Sequence, residues 1–202
     1  MSYTKLEASF YQRNDVVEIS RELLGKYFCT NIDGYYTAGM IVETEAYHGR
    51  NDKACHAHLN RRTKRTEIMY APGGVAYVYL CYGIHYLFNI VTNRKELADA
   101  ILVRAIEPID GVEIMLQRRK MSKLAPKITA GPGSVSQALG ISKKHYGESL
   151  LGNTLWLEDR GIIIHPDEII ASTRVGVAYA EEDALLPWRF RVKGNIYTSK
   201  AK

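Results

Sequence analysis

Two runs rich in β-branched and aromatic residues, KYFCTNI and YYTAGMIVETEAY, flank a single Asp33-Gly34 pair. An Asp-Gly pair accepts the positive φ angles of a two-residue turn whose twist matches the flanking strands, so this segment predicts an antiparallel hairpin. A second hairpin is written in AYVYLCYGIHYLFNIV, whose two halves meet at Tyr82-Gly83, and the strand ADAILVRAIEP follows it. Asp15 can cap a helix carrying Val16, Ile19, Leu23 and Leu24, with Gly25 ending it. A basic helix is expected from near Gly111, a short one around Ser134 to Leu139, and shorter strands at LWLED, GIIIH and WRFRVK. Hairpins in place of regular βαβ units imply an α+β fold: a curved antiparallel sheet or open barrel with flanking helices and a protruding β-hairpin. No linker or repeat divides the 202 residues, which are read as one domain, 1–202.

Three positions fit this frame poorly. Tyr82 stands where a hairpin turn favours Asn or Asp, because a bulky side chain resists positive φ. Either it folds back onto a neighbouring loop or it leaves the protein as a wedge. In GMIVETEAY a period of two places Ile41, Glu43, Glu45 and Tyr47 on one face, so two carboxylates accompany a tyrosine. The same period sets Arg104 beside Leu102 and Ile106. An ion pair from Arg104 to Glu43 or Glu45 would account for these charges structurally, since a buried charge must be paired or hydrogen-bonded.

Composition narrows the partner. The formal net charge is +5, with basic clusters at Arg61, Arg62, Lys64 and Arg65, at Arg118, Arg119, Lys120 and Lys123, and at Lys143, Lys144 and His145. Beside fourteen tyrosines, such clusters suit a nucleic acid, because basic grooves with stacking platforms hold unstacked bases. No apolar run reaches the roughly 18 residues a membrane span needs, and the start MSYTKLEASFYQRND is too polar for a signal peptide. Three cysteines without CxxC spacing fit a reducing compartment, so a soluble, intracellular protein is expected. His48, Cys55, His56 and His58 could ligate zinc, but they lack CxxC and HExxH spacing, and the HxE with PCxxC pair of deaminases is absent. A noncatalytic nucleic-acid-binding or damage-sensing module would explain the basic clusters and tyrosines, yet leaves Glu45 and Arg104 only structural.

IVETEAYHGRNDKACHAH, RRTKR, APGGVAYVYLCYGIHYLFNIV, ILVRAIEP, GPGSVSQALGI, STRVGV and PWRF occur in order between about Leu6 and Gly194. In this the chain resembles the alkyladenine DNA glycosylase family, also called 3-methyladenine DNA glycosylases; ETEAY, YVY-x2-YG and VRAIEP carry most of the likeness. The resemblance implies a fold of the formyltransferase C-terminal-domain type. It further implies a monofunctional enzyme of base excision repair that flips damaged purines out of double-stranded DNA, hydrolyses the N-glycosidic bond and leaves an abasic site. Substrates would be alkylated purines, extending to deaminated or etheno purines, whose neutral bases need protonation as they leave. By similarity, Glu45 activates water and Arg104 positions it; Tyr47 and His56 flank the flipped base on one side and Tyr79 on the other; Asn89 crowds the 2-amino group of guanine. Tyr82 becomes the intercalating wedge, and Arg61, Arg62, Lys64, Arg65, Ile84 and His85 meet the DNA backbone. No cofactor and no metal is implied, and the protein is expected to work as a DNA-associated monomer. The chain departs from the family pattern at Thr66 and at MYAPGG. Ser134 and Ser136 stand where Lys and Cys are frequent, which puts one phosphate contact in doubt.

Overall fold

The computed structural model describes residues 3–200. Among these residues nine antiparallel strands form one curled sheet, a half-barrel packed with a hydrophobic core and a few short helices. In chain order the strands are β1 (Thr4–Lys5), β2 (Tyr27–Ile32), β3 (Tyr35–Tyr47), β4 (Val75–Cys81), β5 (His85–Thr92), β6 (Asp99–Asp110), β7 (Leu155–Asp159), β8 (Ile169–Ser172) and β9 (Arg189–Val192). They lie in the order β1-β7-β2-β3-β6-β5-β4, with β9 joining β3 to β8. The helices are α1 (Ala8–Tyr11), α2 (Val16–Glu22), α3 (Val112–Arg118) and α4 (Pro132–Leu139).

The helix starting at Asp15 forms as expected. Its carboxylate accepts from Glu18 N at 2.9 Å, Val16 and Ile19 face the core, and Gly25 turns the chain at φ +85°. Asp33-Gly34 joins β2 to β3 with positive φ at both residues, 55° and 79°. The expected strand at GIIIH does not form: residues 161–165 lie outside every strand, and Ile169–Ser172 takes the edge position beside β9 instead. Propensity alone does not make a strand; a neighbour must accept its hydrogen bonds.

The central strand β3 positions the site. It pairs with β6 over most of its length, while its start pairs with β2 and Glu43, Thr44 and Glu45 pair with β9. The β3–β6 register slips between Ile41 and Glu43 and again between Glu43 and Thr44. Such bulges re-aim side chains, and here they break the strict alternation expected from sequence. Ile41 and Ile106 turn into the main core with Ala46 and Val103, so neither shares a face with the charges as the period of two predicts. Leu102 stays with Arg104 and lines a cavity.

Candidate active site

A cavity of about 580 Å³ opens between the β4–β5 hairpin, the ends of β3 and β6, the start of α4 and the loop around Val175. Tyr47, His56, Tyr77, Tyr79, Asn89 and Arg104 are among the residues lining it. Behind this wall sit the two carboxylates, both fully buried.

Their surroundings separate them. Glu43 accepts from four donors: Arg104 Nε, Arg189 Nε and Ser199 Oγ at 2.8 Å each, and Ser199 N at 2.5 Å. Burial pushes its carboxyl pKa up, but Arg104, the Ser199 amide and Arg189 outweigh this and hold it below the ordinary value. Glu45 accepts from three: Val175 N at 2.7 Å, Tyr47 Oη at 2.8 Å and Arg104 Nη1 at 3.2 Å. Glu43 takes three of its donors on Oε1 and one on Oε2, and of their residues only Arg104 lines the cavity; Glu45 takes two on Oε2 and one on Oε1, which leaves Oε1 room for a further donor. Arg104 thus bridges both carboxylates, forming the expected ion pair without exhausting Glu45. Glu45 itself stands just behind the cavity, screened by its three donors, all of which line it.

The aromatic wall is already occupied. The Arg65 guanidinium lies 4.5 Å over the Tyr79 ring; its Nε donates to Tyr77 Oη at 3.2 Å, and Nη2 approaches the His56 nitrogens at 3.2 and 3.3 Å. His56 meets Tyr79 edge-on with centroids 4.9 Å apart and bonds Tyr77 Oη through Nδ1 at 2.8 Å. A purine between two flanking rings needs about 7 Å, two contacts of roughly 3.5 Å. His56 and Tyr79 are therefore too close for a purine to lie between those two rings as they stand. Burial, followed by the nearby Arg65 and Arg61 charges, lowers the His56 pKa to about 4, so its ring is neutral at pH 7. Burial first, then Glu45, pushes the Tyr47 phenol well up, which keeps its proton on the bond to Glu45. Asn89 is buried and donates from Nδ2 to Tyr77 O at 3.1 Å.

The hairpin tip projects. Tyr82 has φ +50° and Gly83 +74°, Cys81 pairs with His85, and the connection is one residue longer than the two-residue turn read from sequence. Tyr82 is 90 % exposed and Ile84 72 %, so Tyr82 does not fold back. Left-handed geometry costs a non-glycine residue about 1–2 kcal/mol. His85 packs against the start of α4, where a Cβ on Gly133 would lie 2.8 Å from its ring.

The basic block divides. Arg62 is held by Glu67 at 2.7 Å and Glu96 at 2.6 Å, over the Tyr70 ring, and Arg65 folds onto the cavity mouth. Arg61 and Lys64 are exposed, and neither is in an ion pair among the described residues. Thr66 ties this loop by donating to Arg61 O at 3.0 Å and accepting from Thr63 N at 2.9 Å, so the loop stays closed with threonine at this position. Among the described residues no three His, Cys, Asp or Glu side chains gather so as to hold a metal ion. No helix among them is long and apolar enough to cross a membrane.

The family profile described as Methylpurine-DNA glycosylase matches residues 9–196. The chain belongs to the methylpurine-DNA glycosylase family. The reaction class of that family is hydrolysis of an N-glycosyl bond in DNA. Curated relatives agree over nearly their whole length. A protein of Chlamydia felis named "Putative 3-methyladenine DNA glycosylase" is 45% identical over 96% of this chain and 98% of its own. Proteins of the same name from Alkaliphilus oremlandii and Chlorobaculum tepidum are 41% and 44% identical, over 97% and 98% of this chain and 99% and 92% of theirs.

Three residues around Glu45 and Tyr47 were not singled out from the sequence: Val175, Arg174 and Asp52. Arg174 is fully buried, forms a bidentate pair with Asp52 and lies against the rings of Tyr47 and Trp188. The sequence offered only the arginine of STRVGV, one of the segments that carry the family resemblance.

Proposed function

We propose that this chain is a monofunctional glycosylase of base excision repair that extrudes alkylated purines from duplex DNA and hydrolyses their glycosidic bond with water activated by Glu45. The observation that carries the reading is the contrast between the two buried carboxylates: Glu43 is held largely by residues away from the cavity, whereas Glu45 keeps an acceptor position on Oε1 directly behind an aromatic-walled cavity. A carboxylate there takes a proton from water, while its charge favours an oxocarbenium-like transition state. Arg104 holds the carboxylate and orients the water. Tyr47, His56 and Tyr79 hold the extruded base; cation–π attraction of roughly 0.5–2 kcal/mol favours positively charged bases such as 3-methyladenine and 7-methylguanine. Asn89, on the cavity wall, crowds the 2-amino group of guanine. Base entry requires Arg65 to withdraw from Tyr79, and a DNA phosphate beside the Arg61 to Arg65 block offers its guanidinium an anionic partner.

The test is direct: duplex oligonucleotides, each carrying one lesion, are incubated with the protein. Free base and an intact strand bearing an abasic site are expected, and EDTA should not stop the reaction. Binding without base release would favour a damage sensor; EDTA inactivation reversed by zinc would favour a metal enzyme.

Two outcomes bear on the DNA contacts. Binding should weaken steeply with salt as neutralised phosphates release counterions. Replacing Arg61 and Lys64 by Gln should flatten the slope of log K against log salt by about 0.9 per contact. An unchanged slope would make them solvated surface. For Tyr82→Ser the fold should persist, and excision should fall strongly for a lesion in well-paired duplex but little in single-stranded or mismatched DNA, where less unpairing remains. Equal losses on all substrates, or a melting temperature several degrees lower, would place Tyr82 in packing and end the wedge reading.

A further inference from the structure

Glu45 is held by three donors, and two of them depend on one residue that touches neither the cavity nor Glu45. Val175, whose amide donates to Glu45 at 2.7 Å, directly follows Arg174. Tyr47, whose hydroxyl donates at 2.8 Å, has the Arg174 guanidinium 4.8 Å from its ring centre. Tyr47 lines the cavity and Arg174 does not, so the guanidinium covers the back of the ring and leaves the other face to the base. On its far side Arg174 meets the Trp188 ring at 5.2 Å. Its two terminal nitrogens bind both Asp52 oxygens, Ala46 O at 2.9 Å and Asp183 O at 3.0 Å. Ala46 lies between Glu45 and Tyr47 in β3, so one planar cation ties the Val175 loop to the strand that carries the carboxylate.

We propose that Arg174 is the positioning residue for Glu45: it fixes the Val175 amide and the Tyr47 hydroxyl, and through them aims the carboxylate at the reacting sugar. This rests on the catalytic reading of Glu45 given above. Nothing else in the loop duplicates the role, because a flat fork with donors on two edges and two usable faces is what the site requires. Lysine, with one rotatable ammonium, cannot lie between two rings while bonding two carboxylate oxygens and two carbonyls. The paired Asp52 also offsets the cation behind Tyr47, so the front face of the ring keeps its attraction for a charged base.

The test is a double-mutant cycle on single-turnover excision of 7-methylguanine from duplex DNA, with binding to an abasic-analogue duplex measured alongside. Arg174→Lys is expected to keep duplex binding within about threefold and to lower the excision rate by about 10- to 100-fold, the usual effect of misplacing a catalytic group. In a Glu45→Gln background it should cost little more, because a residue that acts through Glu45 has nothing left to position. An equal loss in both backgrounds, an unchanged rate, or a loss confined to binding would overturn the proposal. Asp52→Asn, which weakens the anchor and leaves every group in place, enters the same cycle if the lysine variant does not fold. If Glu45→Gln alone excises like wild type, it is the catalytic reading that fails; if Glu45→Gln is inactive and Arg174→Lys is not impaired, only the positioning role fails.

Discussion

Glu45→Gln is expected to bind lesion DNA normally and to excise the base about 10² to 10⁴ times more slowly in a single turnover, the usual worth of a general base. The amide keeps the shape of the carboxylate but cannot take a proton from water. Arg104 stays in place, because its Nε remains on Glu43 at 2.8 Å. One of the three donors now facing the side chain, from Val175, Tyr47 or Arg104, will meet an NH₂ group, at a cost of about 1–3 kcal/mol for the unsatisfied donor. The variant should therefore melt slightly earlier yet remain folded. Glu43→Gln is the informative comparison: with two guanidinium groups on it and only Arg104 of its partners lining the cavity, Glu43 should matter more for stability than for chemistry. Excision by Glu45→Gln within a few fold of wild type would remove Glu45 from the mechanism. Outright loss of folding would make the Arg104 bridge its whole purpose.

The hairpins were legible because their signals are local. Asp33-Gly34 announces its turn by backbone preference, and Tyr82 announced itself by violating the same preference. Glu45 and Arg104 were legible as charges inside expected strands, Arg104 among aliphatic neighbours. The register slips that turn Ile41 and Ile106 away from them were not, since a bulge is a property of two strands and neither sequence states the slip. The same limit hid Arg174 and Asp52, which meet across 122 residues. Arg62 and Arg65 read as phosphate ligands in a basic block. Their positions in the free protein are set by distant partners, Glu96 and Tyr70 for one and Tyr77, His56 and Tyr79 for the other. GIIIH has strand composition but no neighbour to pair with.

Asp52→Ala should produce the largest loss of stability among single substitutions near the site. Both side chains of the Asp52–Arg174 pair are out of solvent, 1 % and 0 % exposed, and removing one partner of such a pair costs about 3–5 kcal/mol because the other charge stays buried. Arg174 would keep only Ala46 O and Asp183 O, neutral acceptors that do not compensate a cation. The Ala54 and His48 amides, which donate to Asp52 at 2.9 and 3.3 Å, would lose their acceptor as well, loosening the turn that follows β3. For a chain of this size each kcal/mol moves the melting temperature by about 2–4 °C, so a fall of roughly 6–20 °C is expected in a thermal melt. Activity at low temperature should fall too, since the guanidinium behind Tyr47 would no longer be anchored. Removing both charges together, as Asp52→Leu with Arg174→Met, should recover much of the stability, because an apolar pair of similar volume avoids the desolvation cost. It should recover little excision, since Met cannot tie the Val175 loop to β3. A melt shifted by less than about 2 °C in Asp52→Ala would mean that water reaches Arg174 and that the pair holds nothing in place. Recovery of excision together with stability would mean that packing alone, not the guanidinium, positions Glu45.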